Sequence, residues 1–123
     1  MTWILVGVGG ALGSMARHGL NQLINVRVVG GFPSGIFVIN VLGSVLIGLV
    51  AGAIASTRWT PSADTRIFVV VGLLGGFTTF SSFSLDTLTL VRAGSYGQAA
   101  WNTIGQVGLS LLGAMIGFKI ATS

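Results

Sequence analysis

The sequence predicts an all-α membrane protein with four transmembrane helices, the third broken near its middle. Three observations lead there. Hydrophobic residues make up 52% of the 123 residues and charged residues only 7%, whereas a soluble domain carries about a quarter charged residues. The runs without any charge are residues 1–16, 28–57, 67–85 and 93–118, and a spanning helix needs about 20 mostly apolar residues. One of these runs is interrupted by GGFTTFSSFS, from Gly75 to Ser84. That segment pairs two glycines with five hydroxyl residues and three phenylalanines.

The whole chain, residues 1–123, reads as a single domain. The first helix is expected at about 3–24. Its apolar run has no basic stretch before it, and three equally apolar segments follow, so it reads as a span and not as a signal peptide. GVGGALG (residues 7–13) follows no strand and opens no βαβ unit, which rules out a dinucleotide fingerprint. Arg17 and His18 fall late in this helix. The second helix is expected at about 35–56, after Pro33, and carries Asn40 with Ser44 one turn on. The third is expected at about 67–91, after the loop containing Pro61, and broken near 75–79. Glycine and β-branched threonine both weaken a helix there. The fourth is expected at about 99–120, with Asn102, Gln106 and Ser110 every four residues and therefore on one face.

Spaced glycines recur at Gly9/Gly13, Gly48/Gly52, Gly72/Gly76 and Gly113/Gly117. Small residues one turn apart let helix backbones approach closely in lipid. A helix break in lipid is tolerated only where its backbone is buried in protein or lines a polar cavity. The break should therefore face another subunit, an ion or a pore.

Charge placement bears on topology. Four spans put Arg58, Arg66 and Lys119 on one side and Arg17, Arg27 and Arg92 on the other. Three against three gives no positive-inside preference. A chain without that preference can insert both ways and pair as an antiparallel homodimer, an inverted repeat made from two chains. The net charge of +4 and pI near 11.4 do not indicate nucleic acid, because the basic residues stand singly. They fit the flanks of spans in a lipid bilayer.

Several chemistries are excluded. There is no cysteine, hence no disulfide or thiol site. One histidine, two aspartates and no glutamate make a side-chain metal site and a paired-carboxylate or Ser/His/Asp enzyme implausible. Proton-coupled transporters place an acid within the membrane. Asp86 is the one candidate and lies toward the end of its helix, which favours passive conduction.

The polar residues within the spans each have two readings. Phe77, Phe80 and Phe83 either pack in the core, with hydroxyls bonded back to carbonyls one turn earlier, or present ring edges, which carry partial positive charge, to an anion. On residues alone, packing is slightly ahead. Asn40 either joins two helices or aims its amide into a pathway. The Asn102/Gln106/Ser110 stripe is either a wet lining or an interhelical polar seam. Arg17 either snorkels to the interface or sets a positive potential at a vestibule.

At this point the sequence resembles the Fluc/CrcB fluoride channels. GGFTTFSSFS followed by Asp86 looks like their signature. GGALGSMAR ending at Arg17, VINVLGSVLIG around Asn40, and Ser110 before the Gly113–Phe118 tail extend the likeness over nearly the whole length. The resemblance implies a dual-topology homodimer in the bacterial plasma (inner) membrane, with two antiparallel fluoride pores giving passive efflux and fluoride resistance. It implies that Phe80, Phe83, Asn40, Thr79, Ser81, Ser82, Gln106 and Ser110 belong to the pathway, with Arg17 at a vestibule. It also implies a structural Na⁺ at the dimer centre, held by backbone carbonyls of Gly75 and Thr78, and a Phe77 that merely packs. The sequence departs from the family pattern at Phe77, Ser82, Asp86, Gln106 and Ala114, where Leu, Thr, Glu, Ser and Thr are expected. Fluoride is small and strongly hydrated, and neutral donors can replace its water without trapping it. The alternatives are a small dual-topology multidrug exporter, which needs a mid-membrane acid, and a structural subunit of a larger membrane complex.

Overall fold

The computed structural model describes residues 1–27 and 32–123, apart from the side chains of Val26 and Arg27. The Arg27 of the charge count thus falls outside the described side chains. The described residues are helical, with no strand among them. Helix α1 is Thr2–Arg27 and α2 is Ser34–Ala55. Helix α3 (63–77) opens with the turn Ala63–Arg66, widens into π-helix over Ile67–Leu74 and ends in the turn Gly75–Phe77. Helix α4 is Phe80–Arg92 and α5 is Tyr96–Thr122.

Three segments are long and apolar enough to cross a membrane: α2, Ala63–Arg92 and α5. Four were expected. Helix α1 has the length, at 26 residues, but Arg17, His18, Asn21 and Asn25 make its second half polar. Part of that polarity is structural. The Asn25 amide donates to Asn21 Oδ1 at 2.9 Å, and Asn25 Oδ1 accepts the Gly35 N–H at 2.9 Å. Gly35 lies in the first turn of α2, whose leading N–H groups have no partner within the helix. The polar end of α1 therefore caps the start of α2.

The helices pack as two parallel pairs. Helix α1 runs alongside α3, with Gly9 against Phe68 and Gly72 and Gly13 against Leu73 and Phe77. Helix α2 runs alongside α5, with Phe37 beside Gly105 and Gly52 beside Phe118 and Ala121. Close approach explains two of the glycines. A Cβ at Gly76 would lie 2.5 Å from the Gly10 carbonyl oxygen, and one at Gly52 would lie 2.7 Å from that of Phe118. Backbones this close require a residue without a side chain. At one end of the bundle the Arg58 guanidinium donates to the Ser123 carbonyl, and the Ser56 hydroxyl donates to the Ala121 carbonyl at 3.0 Å.

The buried apolar core is small: Ile36, Ile39 and Phe83, with Leu20 and Phe77 against it. The outer surface is apolar instead, with Trp3, Ile104 and Met115 all more than two-thirds exposed. A large continuous apolar exterior marks a surface facing lipid or another subunit.

The third span breaks at the threonines, not at the glycines before them. Gly75–Phe77 is still helical, whereas Thr78 (φ −88°, ψ 155°) and Thr79 (φ −155°, ψ 122°) are extended. This lies at the far edge of the expected window. β-Branched side chains favour extended backbone, and of the two glycines Gly76 serves close contact with α1 instead.

Candidate functional site

The break frees backbone groups that lipid cannot satisfy, and Asn40 takes them up. Its side-chain amide donates to the Thr79 carbonyl at 3.0 Å, and its Oδ1 accepts the Thr79 N–H at 2.9 Å. One side chain from α2 thereby satisfies both backbone groups of an extended residue. The Thr79 hydroxyl starts the next helix: it accepts the Ser82 N–H at 3.2 Å, an N-cap for α4. Ser81 and Ser82 hydroxyls lie 3.1 and 3.3 Å from the same oxygen. The three hydroxyls thus form one cluster at the start of α4.

Beside the break is a cavity of about 460 Å³ between α2, α3, α4 and α5. Of the sequence-predicted residues, it brings together Asn40, Thr79, Phe80, Phe83, Gln106 and Ser110, and the Gly75 and Thr78 of the expected cation site also line it. Ser81, Ser82 and Arg17 are not among the residues lining it, and Arg17 sits half-buried on α1. No lining residue is charged.

The two phenylalanines differ in setting. Phe83 is 8% exposed and belongs to the core, whereas Phe80 is 77% exposed on this protomer. Their rings meet edge to face, with centroids 5.3 Å apart and planes at 60°. Such a pair turns one ring's positive edge toward the other's negative face. Phe77 packs against the core cluster and lines no part of the cavity.

The donors at the cavity wall can be counted. Asn40 has two N–H groups, one given to Thr79 and the other to Gln106 Oε1 at 2.5 Å. The Ser44 hydroxyl turns back to the Asn40 carbonyl at 2.8 Å and that of Thr78 to Leu74 at 3.2 Å. Gln106 Nε2 gives one N–H to Asn102 Oδ1 at 3.0 Å and keeps one. The Ser110 hydroxyl makes no hydrogen bond among the described residues, although those of Ser44, Ser84, Thr87, Thr89 and Thr103 bond back one turn. The unengaged donors are therefore Gln106 and Ser110, one turn apart on α5. Neither reading of the polar stripe holds alone: Asn102 and Gln106, 0% and 3% exposed, form a seam, and Ser110 faces the cavity.

Sequence reasoning did not single out Thr87, which accepts the Asn102 amide at 2.9 Å. The signal lay in spacing, since Thr87 falls one turn after Phe83 on the same face. Asp86 is half-buried, and its Oδ2 has no hydrogen-bond partner among the described residues. The Gly75 and Thr78 carbonyl oxygens likewise receive no hydrogen bond across the break among the described residues.

Comparison with known proteins adds a family. Residues 4–118 match the family described as CrcB-like protein, Camphor Resistance (CrcB). The chain is 47% identical over 120 residues to the Fluoride-specific ion channel FluC 2 of Nitrobacter hamburgensis, covering 98% of this chain and 96% of that protein. It is 42% identical over 118 residues to the Fluoride-specific ion channel FluC of Thermus thermophilus, covering 96% and 93%. Against the FluC of Opitutus terrae the identity is 44% over 116 residues, covering 94% and 88%.

Proposed function

The chain belongs to the CrcB-like family, and on that premise we propose that it is a fluoride-selective ion channel of the membrane. It is a multi-pass membrane protein and not an enzyme. One observation carries the anion reading: the cavity offers an amide N–H from Gln106, a hydroxyl from Ser110 and two phenyl rings, and no charged side chain. Neutral donors bind an anion strongly enough to replace water and weakly enough to release it. A fixed Lys or Arg would hold it, and an Asp or Glu would repel it.

The transport is passive. Hydrofluoric acid enters a cell as a neutral weak acid and dissociates there, and the anion then leaves through the channel. A coupled multidrug exporter needs an acid at its substrate site. This chain has no glutamate, and Asp86 does not line the cavity.

We further propose that α1 is the fourth span and that the chain works as an antiparallel, dual-topology homodimer in the bacterial inner membrane. Phe80, so exposed on one protomer, would then be covered by the partner, and each of two pores would draw on both copies. Balanced basic residues and the apolar exterior support this. Tagging the C-terminus tests it: the tag should report from both faces of the membrane, and a single orientation overturns dual topology.

The carbonyls of Gly75 and Thr78, left without hydrogen bonds at the break among the described residues, are suitable hard oxygen ligands for Na⁺. A cation there would neutralise the dipoles of the broken helix and join two breaks across the dimer. Removal of Na⁺ by prolonged dialysis is expected to weaken the dimer, and an unchanged dimer would reject the site.

The function itself is tested by reconstituting the full chain in liposomes and following efflux with a fluoride electrode. Rapid fluoride release with chloride retained is the expected result. Equal chloride release, or no release, would eliminate the channel.

A further inference from the structure

Five hydrogen bonds join six polar groups, from the break and from α2, α4 and α5, into one continuous row. The Thr79 N–H donates to Asn40 Oδ1 at 2.9 Å, and Asn40 Nδ2 donates to Gln106 Oε1 at 2.5 Å. Gln106 Nε2 donates to Asn102 Oδ1 at 3.0 Å, and Asn102 Nδ2 donates to Thr87 Oγ1 at 2.9 Å. The Thr87 hydroxyl donates to the Phe83 carbonyl at 2.9 Å.

The row has a direction, and the backbone fixes it at both ends. A backbone N–H can only donate, so Thr79 forces Asn40 to turn its oxygen toward it. A backbone carbonyl can only accept, so Phe83 takes the Thr87 proton and leaves the Thr87 oxygen to accept. Asn102 must then give its N–H to Thr87 and its oxygen to Gln106. Each amide between the two anchors has one orientation that satisfies both neighbours. A reversed Gln106 would set N–H against N–H at Asn40 and oxygen against oxygen at Asn102.

We infer that Asn102 and Thr87 are positioning residues for conduction: they lock the Gln106 amide so that its free N–H, not its carbonyl oxygen, serves the anion path. The inference rests on the fluoride-channel reading. Neither residue lines the cavity. Asn102 is 0% exposed, so it acts through Gln106 and not on the ion. An amide turned the other way would present a carbonyl oxygen, which repels an anion. Asn102 removes that state by offering its own oxygen to the Gln106 N–H. Thr87 in turn holds Asn102, because a hydroxyl whose proton is committed elsewhere accepts only.

The test uses the full-length protein in liposomes, with glutamine side chains labelled with ¹⁵N. The chain has three glutamines, Gln22, Gln98 and Gln106, and Gln106→Leu identifies the third signal by its loss. In the unmodified protein, NaF should move the Gln106 side-chain amide signal and NaCl should not. Asn102→Leu, close in size, should lower fluoride efflux roughly three- to tenfold, the scale of one lost hydrogen bond, and abolish the NaF response of that signal. Thr87→Val should act in the same direction, and Thr87→Ser, which keeps the hydroxyl, should restore both readouts. In a Gln106→Leu background, Asn102→Leu should lower efflux no further.

Additive losses in that background would overturn the inference, as would a Gln106 signal that responds to NaF unchanged in Thr87→Val. If Asn102→Leu does not fold, the Thr87→Val and Thr87→Ser pair decides alone. If the unmodified protein conducts no fluoride, the channel reading fails. The positioning inference is then judged on the Gln106 signal without salt, which Thr87→Val should shift and Thr87→Ser should not.

Discussion

Asn40 and Thr79 exchange two hydrogen bonds, 3.0 Å from the Asn40 amide to the Thr79 carbonyl and 2.9 Å from the Thr79 N–H to Asn40 Oδ1. A side-chain amide has the same donor and acceptor spacing as a peptide unit. It can therefore stand in for the helical partners that an extended residue loses. The broken span is stable in an apolar setting because α2 carries that substitute.

Asn40→Leu should therefore cost stability before it costs anything else. It strands a backbone N–H and a carbonyl away from water, each worth about 1–3 kcal/mol when unsatisfied. A loss of roughly 2–5 kcal/mol is expected, read as a fall in unfolding midpoint in detergent. A midpoint equal to that of the unmodified protein would show that the break finds other partners.

Phe80 and Phe83 should separate stability from conduction. Phe83 is buried and Phe80 is exposed on the protomer. Phe80→Ile should cut fluoride efflux and leave protomer unfolding nearly unchanged. Phe83→Ile should cut efflux and also lower stability by about 1–3 kcal/mol, through lost core packing. Normal efflux in both variants would remove the ring edges from the mechanism.

Ser110→Ala removes a hydroxyl that makes no hydrogen bond among the described residues. The fold loses nothing by it, so unfolding should stay within about 0.5 kcal/mol. Fluoride efflux should fall roughly three- to tenfold, the scale of one donor lost to the ion. A matched fall in stability with efflux intact would make Ser110 structural.

Thr57 follows α2 and has φ +57°, a left-handed conformation that non-glycine residues rarely adopt. Its N–H still reaches the Ile54 carbonyl at 3.1 Å, which ties off the helix end. Thr57→Gly should therefore stabilise the protein by about 1 kcal/mol, measured by thermal unfolding in detergent. Destabilisation would mean that the side chain contributes more than the strain removes.

Much of this protein was legible in its sequence. Charge-free runs required helices, because only internally hydrogen-bonded backbone survives in lipid. The spaced glycines required close helix contact, and the four-residue spacing of Asn102, Gln106 and Ser110 required a shared face. Periodicity reports which residues point the same way along one helix, and it does so without knowledge of neighbours. Tertiary structure decided what the polar groups do. Asn40 has the same side chain whether it serves a pathway or a broken backbone, and only the arrival of Thr79 and Gln106 beside it commits both of its N–H groups. Gln106 and Ser110 became the free donors because every other hydroxyl and amide at the cavity found a partner. Thr87 mattered only once Asn102 lay 2.9 Å away on another helix. Hydrogen-bond direction belongs to pairs of groups brought together from distant parts of the chain, and no single segment encodes it.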